Sequence, residues 1–185
     1  MLIAGLGNPG PAYRLSRHNL GFRVVDAFAE RNGLRCHTRR WRGVAGSAGI
    51  HGKEITVLKP LTYMNLSGLS VRSALDGLGL CPGDLLVVHD DMDLDLGRTR
   101  IRLRGSSGGH RGVQSIIDSL GTGEFARLRI GIGRPPEGVD PVDYVLGSFA
   151  PAEEEVVRGA VDDSADAIME IIAAGYDISM SRHSS

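Results

Sequence analysis

The chain has 185 residues and a formal net charge of −1 at pH 7, which predicts one domain with its own core and leaves too little chain for two. No apolar run approaches the roughly eighteen residues that a membrane helix needs, so we expect no membrane contact. Cys36 and Cys81 are the only thiols, which excludes a disulfide framework and a four-cysteine metal site and indicates the reducing cytoplasm.

Strands and helices alternate along the chain. In order, we predict a strand over 2 to 6, a helix over 20 to 32 with Asn19 as its N-cap, a hairpin over 43 to 50 and 54 to 59, a helix from 65 to 79, strands over 85 to 89 and 98 to 104, a helix over 113 to 120, a strand over 127 to 133 and a helix from 151 to 175. This order predicts a single-domain α/β fold over residues 1 to 178, in which helices cover both faces of a mixed, largely parallel twisted sheet. Residues 179 to 185 are expected to be a short flexible tail.

The first turn, at residues 5 to 10, reads GLGNPG and matches the dinucleotide-binding pattern G-x-G-x-x-G. A dinucleotide loop leads directly into its helix, so that free backbone N–H groups meet the pyrophosphate. Here Pro9 and Pro11 remove two donors, and the next convincing helix begins only after Asn19. We therefore favour a rigid turn that presents the Asn8 amide, with Asn8 capping its own backbone as the alternative.

The small net charge conceals a strong segregation of charges. Residues 1 to 42 contain eight arginines against two acids, residues 98 to 134 contain eight against two, and residues 137 to 177 contain eleven acids against one arginine. Within the second region, the stretch RTRIRLR alternates strictly, which places its four arginines on one strand face. These are Arg98, Arg100, Arg102 and Arg104. The pattern predicts a basic surface that attracts a polyanion, with guanidinium groups suited to phosphate.

Polar residues follow two predicted strands, at the ends where open α/β sheets form a ligand crevice. Strand 2 to 6 leads to Asn8 and His18, and strand 85 to 89 leads to Asp90. If these strands are parallel neighbours, the three side chains meet, and the carboxylate can fix the histidine tautomer that takes a proton from water. A histidine that only decorates the start of a helix is the alternative for His18.

A second set of polar residues is expected at the same crevice. Tyr63, Met64 and Asn65 follow another strand, and the glycine-rich loop at 108 to 112 opens a helix whose free N–H groups could bind a phosphate or an oxyanion. The structural alternatives are a helix cap for Asn65 and core packing for Met64.

Three other chemistries fit the residues less well. Asp91, Asp93 and Asp95 have the spacing of a calcium loop, but leucine and arginine replace its glycine and its final glutamate. Ser107 lies in a G-x-S-x-G pattern, but this loop does not turn directly into a helix as a nucleophile elbow does. A zinc site is not indicated, because the sequence contains no H-E-x-x-H motif and no set of cysteine and histidine residues with the spacing of zinc ligands.

Six motifs resemble, in order and over nearly the whole chain, those of the bacterial-type peptidyl-tRNA hydrolases. They are GLGNPG at 5 to 10, Y-x-x-x-R-H-N-x-G at 13 to 21, KPLTYMNLSG at 59 to 68, VVHDDMDL at 87 to 94, SGGHRG at 107 to 112 and RLRIGIG at 127 to 133. The resemblance implies an enzyme that hydrolyses the ester between a peptide and the 3′ ribose of tRNA. It also implies a cytoplasmic monomer that needs no metal or cofactor.

The resemblance assigns roles to individual residues. His18 is implied as the general base toward water, and Asp90 as its orienting partner. The implied substrate-binding residues are Asn8, Tyr13, Met64, Asn65, Gly108 and Arg111. The implied tRNA phosphate-binding residues are Arg100, Arg102 and Arg129, and the alternating strand pattern adds Arg98 to them.

Two positions depart from the family pattern. Arg111 stands where the family usually has asparagine, and a guanidinium cannot accept a hydrogen bond. Asp95 follows Leu94 where the family usually has proline, which removes a rigid corner. The alternative function is therefore a tRNA-binding or RNA-binding homologue with weakened or lost catalysis, and a third hypothesis is an esterase that uses Ser107 on small molecules.

Overall fold

Seven strands form one sheet in the computed structural model, which describes residues 1 to 183. The strands are β1 (Leu2–Gly5), β2 (Thr38–Arg40), β3 (Gly43–Ile50), β4 (Lys53–Pro60), β5 (Leu85–Asp91), β6 (Thr99–Arg102) and β7 (Ala126–Gly131). The sheet order is β2-β3-β4-β1-β5-β7-β6. Neighbours from β4 to β7 pair in parallel, whereas β2, β3 and β6 form antiparallel pairs toward the two edges. This confirms the predicted mixed sheet with a parallel centre.

Helices cover both faces of the sheet. The six α-helices within residues 1 to 183 are α1 (Leu20–Arg31), α2 (Ser67–Leu78), α3 (Arg111–Leu120), α4 (Pro141–Leu146), α5 (Glu154–Ala174) and α6 (Tyr176–His183). Successive side chains of a strand point to opposite faces. Accordingly Ile3 packs with apolar residues of α1 and α5, while Leu2 and Ala4 pack with those of α2 and α3.

The first helix lies very close to the ends of the central strands. A Cβ atom on Gly5 would lie 2.3 Å from the carbonyl oxygen of Gly21, and a Cβ atom on Gly21 would lie 2.3 Å from that of Val88. Glycine permits this approach because it has no side chain. The register pairs Gly5 with Val88. The residues that follow β1 and β5 therefore lie side by side at the C-terminal ends of these parallel strands.

Most predicted elements are confirmed, although their ends shift. The strand predicted over 98 to 104 ends at Arg102, and the helix predicted from 151 begins at Glu154. The sequence did not predict β2, α4 or α6. β2 is a short, charged and exposed edge strand, and α4 has only six residues, so neither shows a clear apolar repeat.

The C-terminal residues continue as a helix. α6 runs to His183, so the domain boundary expected at residue 178 falls inside it, and the expected tail is helical as far as the structure describes it. Residues 184 and 185 of that tail lie outside the described residues. Across residues 1 to 183, the helices are too short or too polar to cross a membrane.

Candidate active site

A cleft of about 310 Å³ opens beside the ends of β1, β4 and β5. Its walls include all eight residues that the sequence suggested for catalysis and substrate binding: Asn8, Tyr13, His18, Met64, Asn65, Asp90, Gly108 and Arg111. α4 adds a mainly apolar wall through Pro141, Val142, Val145 and Leu146. Folding thus gathers polar groups that are far apart in the chain around one cavity.

His18 and Asp90 form the central hydrogen bond of the cleft. His18 lies in a 3-10 turn over Arg17–Asn19, directly before α1, and Asp90 lies near the end of β5. The Nδ1 atom of His18 lies 2.9 Å and 3.0 Å from the two carboxylate oxygens of Asp90, and both residues are buried. Because a carboxylate only accepts, Nδ1 carries the proton and Nε2 keeps its lone pair for a water molecule or substrate.

His110 binds the same carboxylate, and the sequence did not single it out. Its Nε2 lies 3.2 Å from an oxygen of Asp90, while its Nδ1 accepts hydrogen bonds from the backbone N–H groups of Gly112 and Val113. Since Nδ1 is an acceptor, Nε2 must carry the proton that is donated to Asp90. His110 is therefore both the N-cap of α3 and the second donor to Asp90. Its only sequence signal was its position at the start of a predicted helix.

The surroundings of Asp90 stabilise its ionised form. Burial alone favours the neutral acid, but the attraction of His18 and His110 and their hydrogen bonds hold the pKa of Asp90 well below its usual range. A third imidazole, that of His89, lies 4.7 Å from the His110 ring and donates from Nδ1 to the backbone oxygen of Asp90. Burial, reinforced by His110, lowers the pKa of His89 to about 3, so this ring is neutral near pH 7.

Asn8 is held in place by Asn19, and its amide is oriented by Met64. The side chain of Asn19 accepts from the backbone N–H of Asn8 at 2.7 Å and donates to its carbonyl oxygen at 3.0 Å. Asn19 is the N-cap residue of α1, as predicted, but its side chain makes no capping hydrogen bond, because Asn8 uses it. Asn8 Oδ1 accepts from the backbone N–H of Met64 at 2.8 Å. The Nδ2 group of Asn8 is therefore the part of the amide left to donate to a ligand.

Asn65 and Met64 also differ in their surroundings. Asn65 is exposed in a 3-10 turn over Met64–Leu66, and the residue before α2 is Leu66, so Asn65 is not its N-cap. Met64 is buried among apolar residues and lines the cleft as well. Both alternatives raised from the sequence are thus resolved, with Asn65 free for a ligand and Met64 in the core and the cleft wall together.

The histidines and Asp90 also have the residue types of a metal site. One potential ligand atom from each of His18, Asp90 and His110 lies within 4.8 Å of the others. A metal on Nε2 of His110 would move the proton of that ring to Nδ1, which already accepts two backbone N–H groups. The hydrogen bonds of His110 therefore fit a proton-transfer site better than a metal site.

Ser107 lacks the surroundings of a serine nucleophile. It lines the cleft, but among residues 1 to 183 no imidazole hydrogen-bonds to its hydroxyl, since His18, His89 and His110 are directed to Asp90 or to backbone groups. An activated serine needs such a base.

A basic pocket of about 220 Å³ adjoins the cleft. Asp91, Ser107 and Gly108 line both cavities. The arginines of the basic pocket are Arg102, Arg104, Arg127 and Arg129. Arg102 and Arg129 were predicted as phosphate-binding residues. Arg104 was predicted only as part of the basic strand face, although it lies after the end of β6, and Arg127 near the start of β7 was not predicted.

Arginines of two strands face one another beside this pocket. The antiparallel register sets Arg100 opposite Arg129 and Arg102 opposite Arg127. Arg129 is held by Asp91 at 2.5 Å, and Arg127 donates to the backbone oxygen of Gly105 at 2.6 Å. Of the predicted phosphate-binding residues, Arg98 and Arg100 lie outside the pocket lining.

The sequence and the structure were compared with known proteins. The family model described as peptidyl-tRNA hydrolase matches residues 2 to 185. A peptidyl-tRNA hydrolase of Geobacillus kaustophilus is 47% identical over 175 residues, which cover 95% of this chain and 94% of the relative. That of Bacillus subtilis is 47% identical over 167 residues, or 90% of this chain and 89% of the relative. The crystal structure of peptidyl-tRNA hydrolase from Acinetobacter baumannii superposes with a TM-score of 0.92 at 34% identity and covers 98% of this chain and 92% of that one.

Proposed function

The chain belongs to the peptidyl-tRNA hydrolase family, and we propose that its cleft hydrolyses the ester bond of peptidyl-tRNA with His18 as the general base. The observation that carries this proposal is the hydrogen bond of 2.9 Å between His18 Nδ1 and Asp90, because it leaves Nε2 free to accept a proton. Asp90 is the orienting partner. Its depressed pKa keeps it ionised, so it can stabilise the imidazolium that forms during the reaction.

The reaction uses one water molecule and no other reagent. Nε2 of His18 takes a proton from the water as the water oxygen bonds to the carbonyl carbon of the ester. The tetrahedral oxyanion then collapses, the bond from carbon to the ribose oxygen breaks, and that oxygen receives the proton from the imidazolium. The products are a peptide with a free carboxyl group and a tRNA with a free 3′-terminal ribose. A base in this position accounts for roughly 10²–10⁴ of the rate enhancement.

Hydrogen-bond donors in the cleft suit the oxyanion and the peptide. We assign the Nδ2 group of Asn8 and the exposed amide of Asn65 to the ester end of the substrate, with Gly108 offering a backbone contact. The loss of one oxyanion donor typically lowers kcat by roughly 10²–10³. Asn8 is well suited to this task, because Asn19 and Met64 fix its position before the substrate arrives.

The remaining walls of the cleft would contact the side chains of the peptide. Tyr13 and Met64 provide apolar surface in addition to the wall formed by α4. Arg111 adds an exposed cation at the first position of α3, and we place it at the rim, where it can contact an anionic group of the substrate without entering the hydrogen bonds of Asp90.

The basic pocket is the proposed site for tRNA phosphates. Like charges that face each other across strands are unfavourable, so the pairs Arg100 with Arg129 and Arg102 with Arg127 favour an anion between or above them. Arg102 and Arg129 line the pocket, and Arg98 and Arg100 would extend its positive field. Contacts of this kind bind RNA without reading its sequence and weaken as salt rises.

We further propose that the enzyme acts as a monomer in the cytoplasm.

Release of peptide from purified peptidyl-tRNA tests the proposed activity. Wild type should release it, His18→Ala should lose most of the rate, and Ser107→Ala should retain it. Equal rates for wild type and His18→Ala would remove His18 from its role. Binding of tRNA without cleavage at any enzyme concentration would instead support the RNA-binding homologue, which the intact contacts of His18, Asp90 and His110 do not favour.

A further inference from the structure

A second group of arginines lies at the opposite edge of the sheet from the basic pocket. Arg39, Arg40 and Arg42, which we call the hairpin arginines, belong to β2 or to the turn that follows it and are all exposed. Within residues 1 to 183, no carboxylate forms an ion pair with any of these three side chains, although most arginines of the first helix region are paired, such as Arg31 with Asp162. The hairpin arginines therefore form a positive surface that the protein itself does not neutralise.

The tip of this hairpin lies beside the catalytic cleft. β2 is antiparallel to β3, which is antiparallel to β4. β2 and β4 therefore run in the same direction, and their C-terminal ends lie on the same side of the sheet. The carbonyl oxygen of Arg42 accepts from the backbone N–H of Leu61 at 2.9 Å. Two residues later, Tyr63 begins the segment that lines the cleft. The hairpin arginines thus lie at or next to the tip of the hairpin, on the side of the sheet away from the basic pocket.

The turn at the tip keeps large side chains in a conformation that disfavours them. Trp41 and Arg42 connect β2 to β3 with φ values of 50° and 54°, the signs of a type I′ turn, for which Asn-Gly is the preferred sequence. Non-glycine residues adopt positive φ at a cost, and such positions concentrate at functional sites. Within residues 1 to 183, the exposed side chain of Arg42 makes no hydrogen bond or ion pair that would explain its presence there.

The same turn fixes the position of a second cation. The Trp41 backbone oxygen accepts from the Ser70 hydroxyl of α2, and the ring lies so near α2 that a Cβ atom on Gly77 would be 2.5 Å from Trp41 Nε1. The guanidinium of Arg40 stacks on this ring, with its central carbon 4.1 Å from the ring centroid. Arg40 is therefore oriented before a ligand binds, and its hydrogen-bond donors are free for phosphate oxygens.

We propose that the hairpin arginines form a second contact with the RNA backbone of the substrate tRNA, on the opposite side of the cleft from the basic pocket. The inference rests on the proposed function, because it assumes that the cleft holds the 3′ end of a tRNA. Seven strands spaced about 4.8 Å apart place β2 and β6 about 29 Å from each other. A folded tRNA is large enough to contact both edges, whereas a few nucleotides bound in the cleft are not.

Edge protection is the competing explanation for these charges. Charged side chains on an edge strand prevent pairing with another sheet, and this role would account for Arg39 and Arg40. It does not account for a turn that keeps tryptophan and arginine at positive φ, since Asn-Gly would close the same hairpin with less strain.

The test compares a complete substrate with a short one. The triple variant Arg39→Ala/Arg40→Ala/Arg42→Ala should raise KM for peptidyl-tRNA roughly tenfold near physiological salt, with kcat nearly unchanged. Its kcat/KM for a peptidyl ester of the trinucleotide CCA should equal that of wild type. The slope of log affinity for uncharged tRNA against log salt should become shallower by about 0.7–0.9 for each lost contact. The matched triple lysine variant should keep most of the affinity.

A matched removal of charge elsewhere serves as the control. Arg31→Ala/Arg72→Ala/Arg158→Ala removes the same charge from exposed helix positions and should affect tRNA binding less than the hairpin variant does. Equal losses from the two variants would show that net charge alone attracts the RNA and would overturn the proposal.

Arg42→Gly separates a binding role from a role in folding. Glycine relieves the positive φ, so the melting temperature should rise by about 2–4 °C while the affinity for tRNA falls. Unchanged binding of tRNA by both Arg42→Gly and the triple variant would leave edge protection as the role of the hairpin. If the loss of kcat/KM depends on how acidic the peptide is and not on the length of the RNA, then this surface binds the peptide. Binding of uncharged tRNA needs no catalysis. The binding measurements therefore test the role of the hairpin arginines even if the wild type cleaves no ester.

Discussion

The Nε2 atom of His110 lies 3.2 Å from Oδ1 of Asp90, the same oxygen that His18 approaches at 2.9 Å. Asp90 therefore receives two N–H donors, from imidazole rings whose centroids lie 4.8 Å apart. This arrangement fixes the carboxylate and, through it, the tautomer of His18. His110 is in turn fixed by the two backbone N–H groups at the start of α3, so the ring of His110 joins this helix to the pair of His18 and Asp90.

Replacing His110 should lower the rate without changing the substrate affinity. His110→Ala removes a hydrogen bond to a charged group, typically worth about 1.5–3 kcal/mol, and kcat should fall roughly 10- to 100-fold. It also removes the cap of α3, at a cost of about 1 kcal/mol of stability. Steady-state kinetics and chemical denaturation measure the two effects. His110→Asn, which can still cap the helix, should recover stability but little of the rate, and recovery of both would contradict the role assigned to His110.

The buried ring of His89 should make folding sensitive to mild acid. Its pKa is 6.5 in its ordinary state and about 3 in the folded protein, so between these values only the unfolded chain binds the proton. The free energy of unfolding should therefore fall as the pH drops below about 6.5, by at most about 1.4 kcal/mol per pH unit from this residue. Asp90 acts in a lower pH range. Its pKa is depressed in the folded protein, so its contribution to the free energy of unfolding is complete above about pH 3.8 and is lost as the pH falls further.

Denaturation curves between about pH 4 and pH 6.5 separate these contributions. His89→Gln should show a shallower dependence of stability on pH than wild type in that range. His37→Gln serves as the control, since His37 is exposed and its loss should leave the slope as it is. A slope that His89→Gln does not change would contradict the buried neutral state of this ring.

Asn19 should act on catalysis through Asn8. Asn19 holds the backbone of Asn8 with two hydrogen bonds, so we expect Asn19→Ala to reduce kcat roughly tenfold. The double variant Asn8→Ala/Asn19→Ala should be little worse than Asn8→Ala alone, because the two residues serve one donor. Asn19→Asp keeps the acceptor toward the Asn8 N–H and should fall between wild type and Asn19→Ala. Fully additive effects in this cycle would mean that Asn19 acts elsewhere.

Arginines that line the basic pocket should matter more for RNA than those beside it. Arg102→Ala and Arg129→Ala should each weaken the binding of uncharged tRNA and reduce the salt slope by about 1. Arg98→Ala and Arg100→Ala should have smaller effects, because these side chains lie outside the pocket lining. Titrations at several salt concentrations measure both quantities. A larger effect from Arg98 than from Arg102 would place the phosphate elsewhere.

The contact between His18 and Asp90 could be predicted from the sequence because a physical rule connects it to the fold. Apolar runs identified the parallel strands β1 and β5. Polar residues that follow parallel strands converge at the C-terminal ends of those strands, so His18 and Asp90 could be placed together. His110 could not be distinguished in the same way. Its role depends on which backbone N–H groups its Nδ1 meets, and that is decided by the exact path of a glycine-rich loop.

The errors of the sequence analysis have physical causes as well. Asn19 does occupy the predicted N-cap position of α1, but the side chain that usually makes the capping hydrogen bond is used in a tertiary contact with Asn8. The alternation of arginines correctly describes β6 only to Arg102, where the strand ends. The basic pocket is then completed by Arg127 from β7, and this depends on a strand pairing that local sequence does not contain.

The central claim is that His18 and Asp90 work as one unit, and a double-mutant cycle on single-turnover cleavage of peptidyl-tRNA tests it most directly. We expect His18→Ala to lower the rate by roughly 10²–10⁴ and Asp90→Asn to lower it substantially. The double variant should then be no slower than His18→Ala, since Asp90 acts only through the imidazole. Independent, multiplicative losses, or a His18→Ala enzyme that cleaves at the wild-type rate, would contradict the account.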